Sequence, residues 1–96
     1  MEDKIQLSHP AGKHAIKIDK LRYQLLNDVM VKCLSRNALT HKELYQAVTD
    51  EFIKRNINFE GSVEWYMESV KLDLEAKNII RRIKEKSKLK FELIKE

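Results

Sequence analysis

The side chains best suited to chemistry in this sequence are few and scattered. His9 and His14 flank a turn marked by Pro10 and Gly12, and Cys33 is the only thiol. Together they offer three donors to a metal, but their spacing fits no zinc pattern. Two histidines in a polar turn, His41 at a helix start and a small core cysteine are the more economical reading. Asp73 and Glu75 stand two apart on a helix, so they point in different directions and make no acid–base pair. There is no glycine-rich phosphate loop, no cysteine pair and no His-Glu-x-x-His run. The expectation is a protein that is not an enzyme, with no catalytic residue, no metal, no cofactor and no evident small-molecule substrate.

The other chemistry on offer is charge. Arg81, Arg82, Lys84, Lys86, Lys88 and Lys90 lie within ten residues, opposed only by Glu85. Alternate residues of a two-stranded ribbon share a face. Arg82, Lys84 and Lys86 then share one side, and Lys88 and Lys90 share one on the partner strand. Such a ribbon suits a phosphate backbone or a minor groove, with salt-sensitive affinity and little sequence choice. It also suits a lysine-guarded edge that resists aggregation.

These residues need elements to hold them. The 96 residues fit one domain, taken as 1–96, with room for one core and not for a deep cavity beside it. Net charge is +4, with both ends basic and residues 41–78 mildly acidic. No apolar run approaches the roughly 18 residues that span a bilayer. The charged N-terminus lacks the apolar stretch of a signal peptide, and one cysteine makes no internal disulfide, so a cytoplasmic location and no membrane partner are expected. Residues 4–7 and 13–18 alternate around a Pro-Gly turn and predict a hairpin over 1–18. Asp19 caps a first helix with Leu21, Leu25, Leu26, Val29, Cys33 and Leu34 in a stripe, ending near Arg36-Asn37. Thr40-His41-Lys42-Glu43 matches the capping box of a second helix, with Leu44, Tyr45, Val48, Phe52 and Ile53 on one side. Residues 55–61 read as a loop. Ser62 caps a third helix that runs to about Lys77, with Asn78 as its left-handed stop. Residues 79–84 and 89–94 read as strands around a turn at Glu85-Lys86-Ser87-Lys88.

The order is hairpin, three helices over 19–78, and a basic hairpin over 79–96. It predicts a helix-rich α+β fold of winged helix-turn-helix type, with an added N-terminal hairpin. The stretch Val70-Lys71-Leu72-Asp73-Leu74-Glu75-Ala76-Lys77-Asn78-Ile79-Ile80 resembles a winged-helix phrase in which Leu-Glu-x-x-Gly-Leu-Ile runs from the third helix into the first wing strand. Asn78 stands where glycine is usual. The Ser8-His9-Pro10-x-Gly12-Lys13 turn, the Trp65-Tyr66 pair and the Lys71–Ala76 run make the whole chain similar to a small bacterial family of winged-helix-like domains of unknown function. That resemblance implies a fold and no activity.

At about 100° per residue, Val63, Tyr66, Met67, Val70 and Leu74 form the core face of the third helix. Glu64, Glu68, Lys71 and Glu75 form a mainly acidic sector, which sits badly against phosphates, and Asp73 lies on the other flank. Trp65 and Leu72, with Ser69 and Ala76 beside them, stand nearly opposite the core. A helix with two apolar faces is covered on both or exposes a patch. Either the N-terminal hairpin covers this sector, or a protein partner or second copy docks there through Trp65. The expected function is therefore a non-catalytic interaction module working by protein contact or self-association. The alternative is a DNA-binding regulator that leans on the wing and the basic first helix (Lys20, Arg22, Lys32, Arg36).

Overall fold

Asp19 starts the helical part of the chain as its spacing requires: its carboxylate accepts from the Arg22 amide at 2.9 Å and caps α1 (Lys20–Leu34). The computed structural model describes residues 4–7, 9 and 17–94. Leu26, Val29, Met30 and Leu34 bury one face of α1. Leu21 does not join them and is exposed. It lies about 140° from Leu26 around the helix, whereas Arg22 lies about 40° away. Arg22 takes the inward direction instead, over the rings of Tyr66 and Phe59. Cys33 is half-buried, and burial, followed by the nearby Glu51 carboxylate, pushes its thiol pKa up. A thiol so placed is a poor nucleophile.

Thr40 and Glu43 form the expected capping box. The Glu43 amide donates to Thr40 Oγ1 and the Thr40 amide donates to Glu43 Oε1. The backbone hydrogen bond from Thr40 holds the Glu43 carboxyl below its usual range. Helix α2 (His41–Lys54) buries Leu44, Val48 and Phe52. Ile53 is exposed rather than inward; it sits about 100° past Phe52, off the buried arc. Residues 55–62 connect to α3 (Val63–Ala76), capped by the Ser62 hydroxyl. In this loop Phe59 stacks on Phe52 and meets Tyr66 edge-on. Gly61, at φ 94°, sits where a Cβ would come within 3.0 Å of the Tyr66 ring, so both its conformation and its space call for glycine. Asn78, at φ 60°, provides the left-handed stop after α3.

The strands are β1 (Lys4–Gln6), β2 (Lys17–Asp19), β3 (Leu39–Thr40), β4 (Ile80–Glu85) and β5 (Lys88–Leu93). β1 and β2 pair antiparallel with Ile5 opposite Ile18, and Leu7 and Ile18 enter the common core. The second strand of this hairpin thus runs straight into the α1 cap. Residues 13–16, expected to begin it, lie outside the described residues, as does His14. β3 was not expected. Its two residues pair with Phe91 and Lys90, and two residues are too few to show alternation. The second sheet has the order β3-β5-β4, antiparallel throughout. Lys86 and Ser87 alone form the β4–β5 turn, both at positive φ, so Glu85 and Lys88 belong to strands. Among the described residues, no helix is long and apolar enough to cross a membrane.

Glu51 ties α1 to α2. Lys32 donates to its Oε1 at 2.9 Å and Arg55 at 2.8 Å. Those two hydrogen bonds lower the Glu51 pKa to about 2. A depressed carboxyl stabilises the fold above its unfolded pKa and loses that contribution as pH falls through the folded value. Glu51→Gln is expected to lower Tm at pH 7. The difference from the parent chain should shrink as pH falls from the ordinary carboxylate range to about 2. Thermal denaturation across that series checks it, and a constant difference contradicts it.

Candidate functional site

Helix α3 carries the interaction candidates Trp65, Ser69, Leu72 and Ala76, and two buried charges on its flanks fix how it sits. Asp73 is fully buried. Tyr23 Oη, from α1, donates to Asp73 Oδ2 at 2.5 Å. Lys77 Nζ approaches the same oxygen at 2.9 Å and donates to Tyr23 Oη at 3.0 Å. Burial, followed by the hydrogen bond to Asp73, raises the Tyr23 pKa. Burial opposes the charge on Lys77, but hydrogen bonds to Tyr23 and Asp73 outweigh it and its pKa is raised. The three groups form a closed structural pin between α1 and the end of α3.

The second charge is Lys71, only 3% exposed although its helical position was read as part of the acidic sector. Its ammonium lies 4.3 Å from the centre of the Phe91 ring, 3.0 Å from Glu68 Oε2 and 3.0 Å from His41 Nδ1. An ammonium has no lone pair, so His41 Nδ1 accepts. The proton is then on Nε2, which donates to Glu64 Oε2 at 3.1 Å. Glu64 and Glu68 therefore turn toward the start of α2. The third acid, Glu75, accepts from Arg82 of β4 at 2.8 Å. The spacing Met67, Val70, Lys71, Leu74 was the available signal: Lys71 fills a core position of a helical stripe, as Asp73 does by following Val70 at three residues.

An open groove of about 810 Å³ lies between the start of α2, the middle of α3 and the β4–β5 ribbon. Lys71, His41 and Glu68 line it on the helical side, and Arg82, Leu89 and Phe91 on the ribbon side. The groove is open to solvent and not a deep cavity beside the core; it arises where the ribbon stands off the helices.

The interaction residues divide. Trp65 is 52% exposed and meets Tyr66 edge-on, with ring centres 4.9 Å apart. Ser69, Leu72 and Ala76 are half-buried, so the apolar sector is narrower than the helical wheel implied. Ser69 turns its hydroxyl back to the Trp65 carbonyl. The exposed carboxylates of Glu60, Glu64 and Glu68 belong to the same end of the molecule as Trp65.

The six cations of the ribbon divide too. Arg81 pairs with Glu92, Arg82 with Glu75 and Lys90 with Glu85. Among the described residues, Lys84, Lys86 and Lys88 have no ion-pair partner. The register puts Arg82 and Lys84 on the face of Leu89 and Phe91, and Lys88 and Lys90 on the other face with Glu85 and Glu92. Lys86 does not extend the Arg82–Lys84 row, because it occupies the left-handed turn. The free positive charge is concentrated at the ribbon's tip.

The chain belongs to the family of unknown function DUF6958, whose model matches residues 4–91. No curated protein and no solved structure matches it.

The Asp73 pin has a measurable weight. Tyr23→Phe removes a hydrogen bond to a buried carboxylate and should cost about 1–3 kcal/mol. Asp73→Ala leaves a void and takes the acceptor from the Tyr23 hydroxyl, while Lys77 can turn to water; it should cost more than Tyr23→Phe, about 2–4 kcal/mol, a large part of the stability of a domain this size. Urea denaturation monitored by circular dichroism checks both, and equal losses from the two variants would contradict the ranking.

Proposed function

We propose that this chain is a non-catalytic winged-helix module that works by holding a protein partner through Trp65 at the start of α3. The topology supports the winged-helix reading: a short strand between the first two helices lies in one sheet with the two strands that follow the third. On this reading β4 and β5, in a sheet of order β3-β5-β4, would be the wing. The eight-residue α2–α3 connection departs from the tight turn of DNA readers of this kind. Carboxylates around α3 also weaken its use as a major-groove reader.

The observation that carries the reading is the exposure of Trp65. A tryptophan held rigid against Tyr66 yet half open to solvent has the properties of an interface anchor: large area and little conformational freedom left to lose. The exposed Glu60 and Glu64 near the start of α3 point to a partner surface with an apolar pocket and a basic rim. A second copy and a different protein both fit that description. The single unpaired thiol of Cys33 suits a cytoplasmic setting.

Trp65 is the only tryptophan, so its emission reports directly on this surface. Emission of the isolated chain at low concentration should be red-shifted, as for a solvated indole. It should move to the blue when the partner surface covers it, or with rising concentration if the partner is a second copy. Sedimentation of Trp65→Ala should then show loss of the complex. Association that survives Trp65→Ala unchanged would sink the reading.

A second reading rests on Lys84, Lys86 and Lys88, which place three charges without an ion-pair partner among the described residues at the tip of the ribbon. That tip suits a phosphate backbone. Titration of duplex DNA at low salt should show weak binding, insensitive to sequence, that falls with salt and is abolished by Lys84→Glu, Lys86→Glu and Lys88→Glu together. No binding at low salt would end it.

A further inference from the structure

Lys71 is an unusual residue to find at the bottom of a groove. A buried ammonium needs a counter-charge, and the one supplied is Glu68, which sits at the surface with its side chain 48% exposed. Glu68 therefore needs no large rearrangement to turn away into water. His41 Nδ1 and the Phe91 ring would keep their hold on the ammonium when it does so. Another carboxylate arriving on Lys71 leaves its charge balance unchanged, so the exchange is nearly neutral electrostatically. Any net affinity then comes from the rest of the incoming molecule.

The groove supplies the surface for that. Leu89 is 47% exposed on the ribbon face that also carries Phe91. An apolar body laid on Leu89 leaves water while its carboxylate reaches Lys71. The charges around the opening favour the same sign of ligand. Lys42 and Lys88 line the groove, and neither has an ion-pair partner among the described residues. Of the carboxylates in the lining, Glu43 is engaged by the Thr40 amide and Glu68 is the group to be replaced. A volume of about 810 Å³ accommodates a small organic molecule.

We propose that this groove binds a small carboxylate with an apolar body, its carboxylate displacing Glu68 from Lys71 and its body resting on Leu89. The site is separate from the exposed Trp65 and does not depend on the role assigned to that residue.

Benzoate serves as the probe, with acetate and benzyl alcohol as the charge-only and body-only comparisons. Two-dimensional amide NMR of the full chain should show saturable shifts with benzoate in about the millimolar range, as befits a ligand of so few atoms. The shifts should centre on residues 40–43, 71 and 88–91. Acetate should bind at least tenfold more weakly, and benzyl alcohol should not saturate. Glu68→Gln removes the competing carboxylate and should tighten benzoate at least fivefold. Leu89→Ala, a change at a half-exposed position that the fold tolerates, should weaken benzoate severalfold and leave acetate unchanged. Trp65→Ala should leave benzoate binding intact. Absence of saturable shifts, equal binding of acetate or benzyl alcohol, or no tightening in Glu68→Gln would each overturn the proposal. Lys71→Met, where it folds, should abolish binding, and its thermal stability should no longer rise with benzoate.

Discussion

The architecture turns on α3 being gripped by buried charges of opposite sign. Val70 and Leu74 anchor the helix by ordinary apolar burial, which resists separation but tolerates rotation. Asp73 and Lys71 remove that freedom. Asp73 must meet Tyr23 of α1 and Lys77, and Lys71 must meet His41 at the start of α2 and Phe91 of β5. A rotation that satisfied one set would strand the other, and a stranded buried charge is among the most expensive defects a small domain can carry. The two ion clusters thus act less as a source of net stability than as a register device, selecting one angular setting of α3 among several with similar apolar contact.

That setting decides what the remaining surface looks like. With Lys71 drawn inward, Glu64 and Glu68 follow it toward His41, and Glu75 is drawn to Arg82. The acidic sector of α3 becomes the wall of a groove whose other wall is the ribbon. Trp65 is left on the outside because the core arc is already filled by Met67, Val70 and Leu74. The exposed indole and the lined groove are therefore two consequences of one packing choice.

What the residues disclosed in advance follows the range of the interactions involved. Caps and stops are local, so Asp19, the Thr40–Glu43 box, Ser62 and Asn78 were legible from their neighbours alone. The ribbon was legible from alternation. Its charge pairing was not, because Arg81–Glu92 and Lys90–Glu85 join residues of opposite strands and depend on how the side chains settle once those strands pair. The exposure of Leu21 and Ile53 was hidden by treating a helix stripe as a list of apolar residues instead of an arc of directions. Lys71 and Asp73 were misplaced for the opposite reason. Their positions lie on the buried arc, but charge argued against burial until partners from distant segments were in view.

On the winged-helix reading proposed above, the third helix would be the element offered to a ligand and the β4–β5 ribbon its support. Here the helix gives most of its polar side chains to internal contacts. Glu64, Glu68 and Lys71 serve the α2 junction, Asp73 serves α1, and Glu75 serves β4. Few groups remain on it to read an extended pattern such as a row of base edges. What it still presents is compact: one tryptophan, and one lysine at the floor of a groove with a half-exposed counter-charge. Compact features suit compact ligands, an anchoring pocket on a protein or a single small anion. The geometry of α3 thus favours point recognition over the reading of a sequence, whichever partner proves to occupy it.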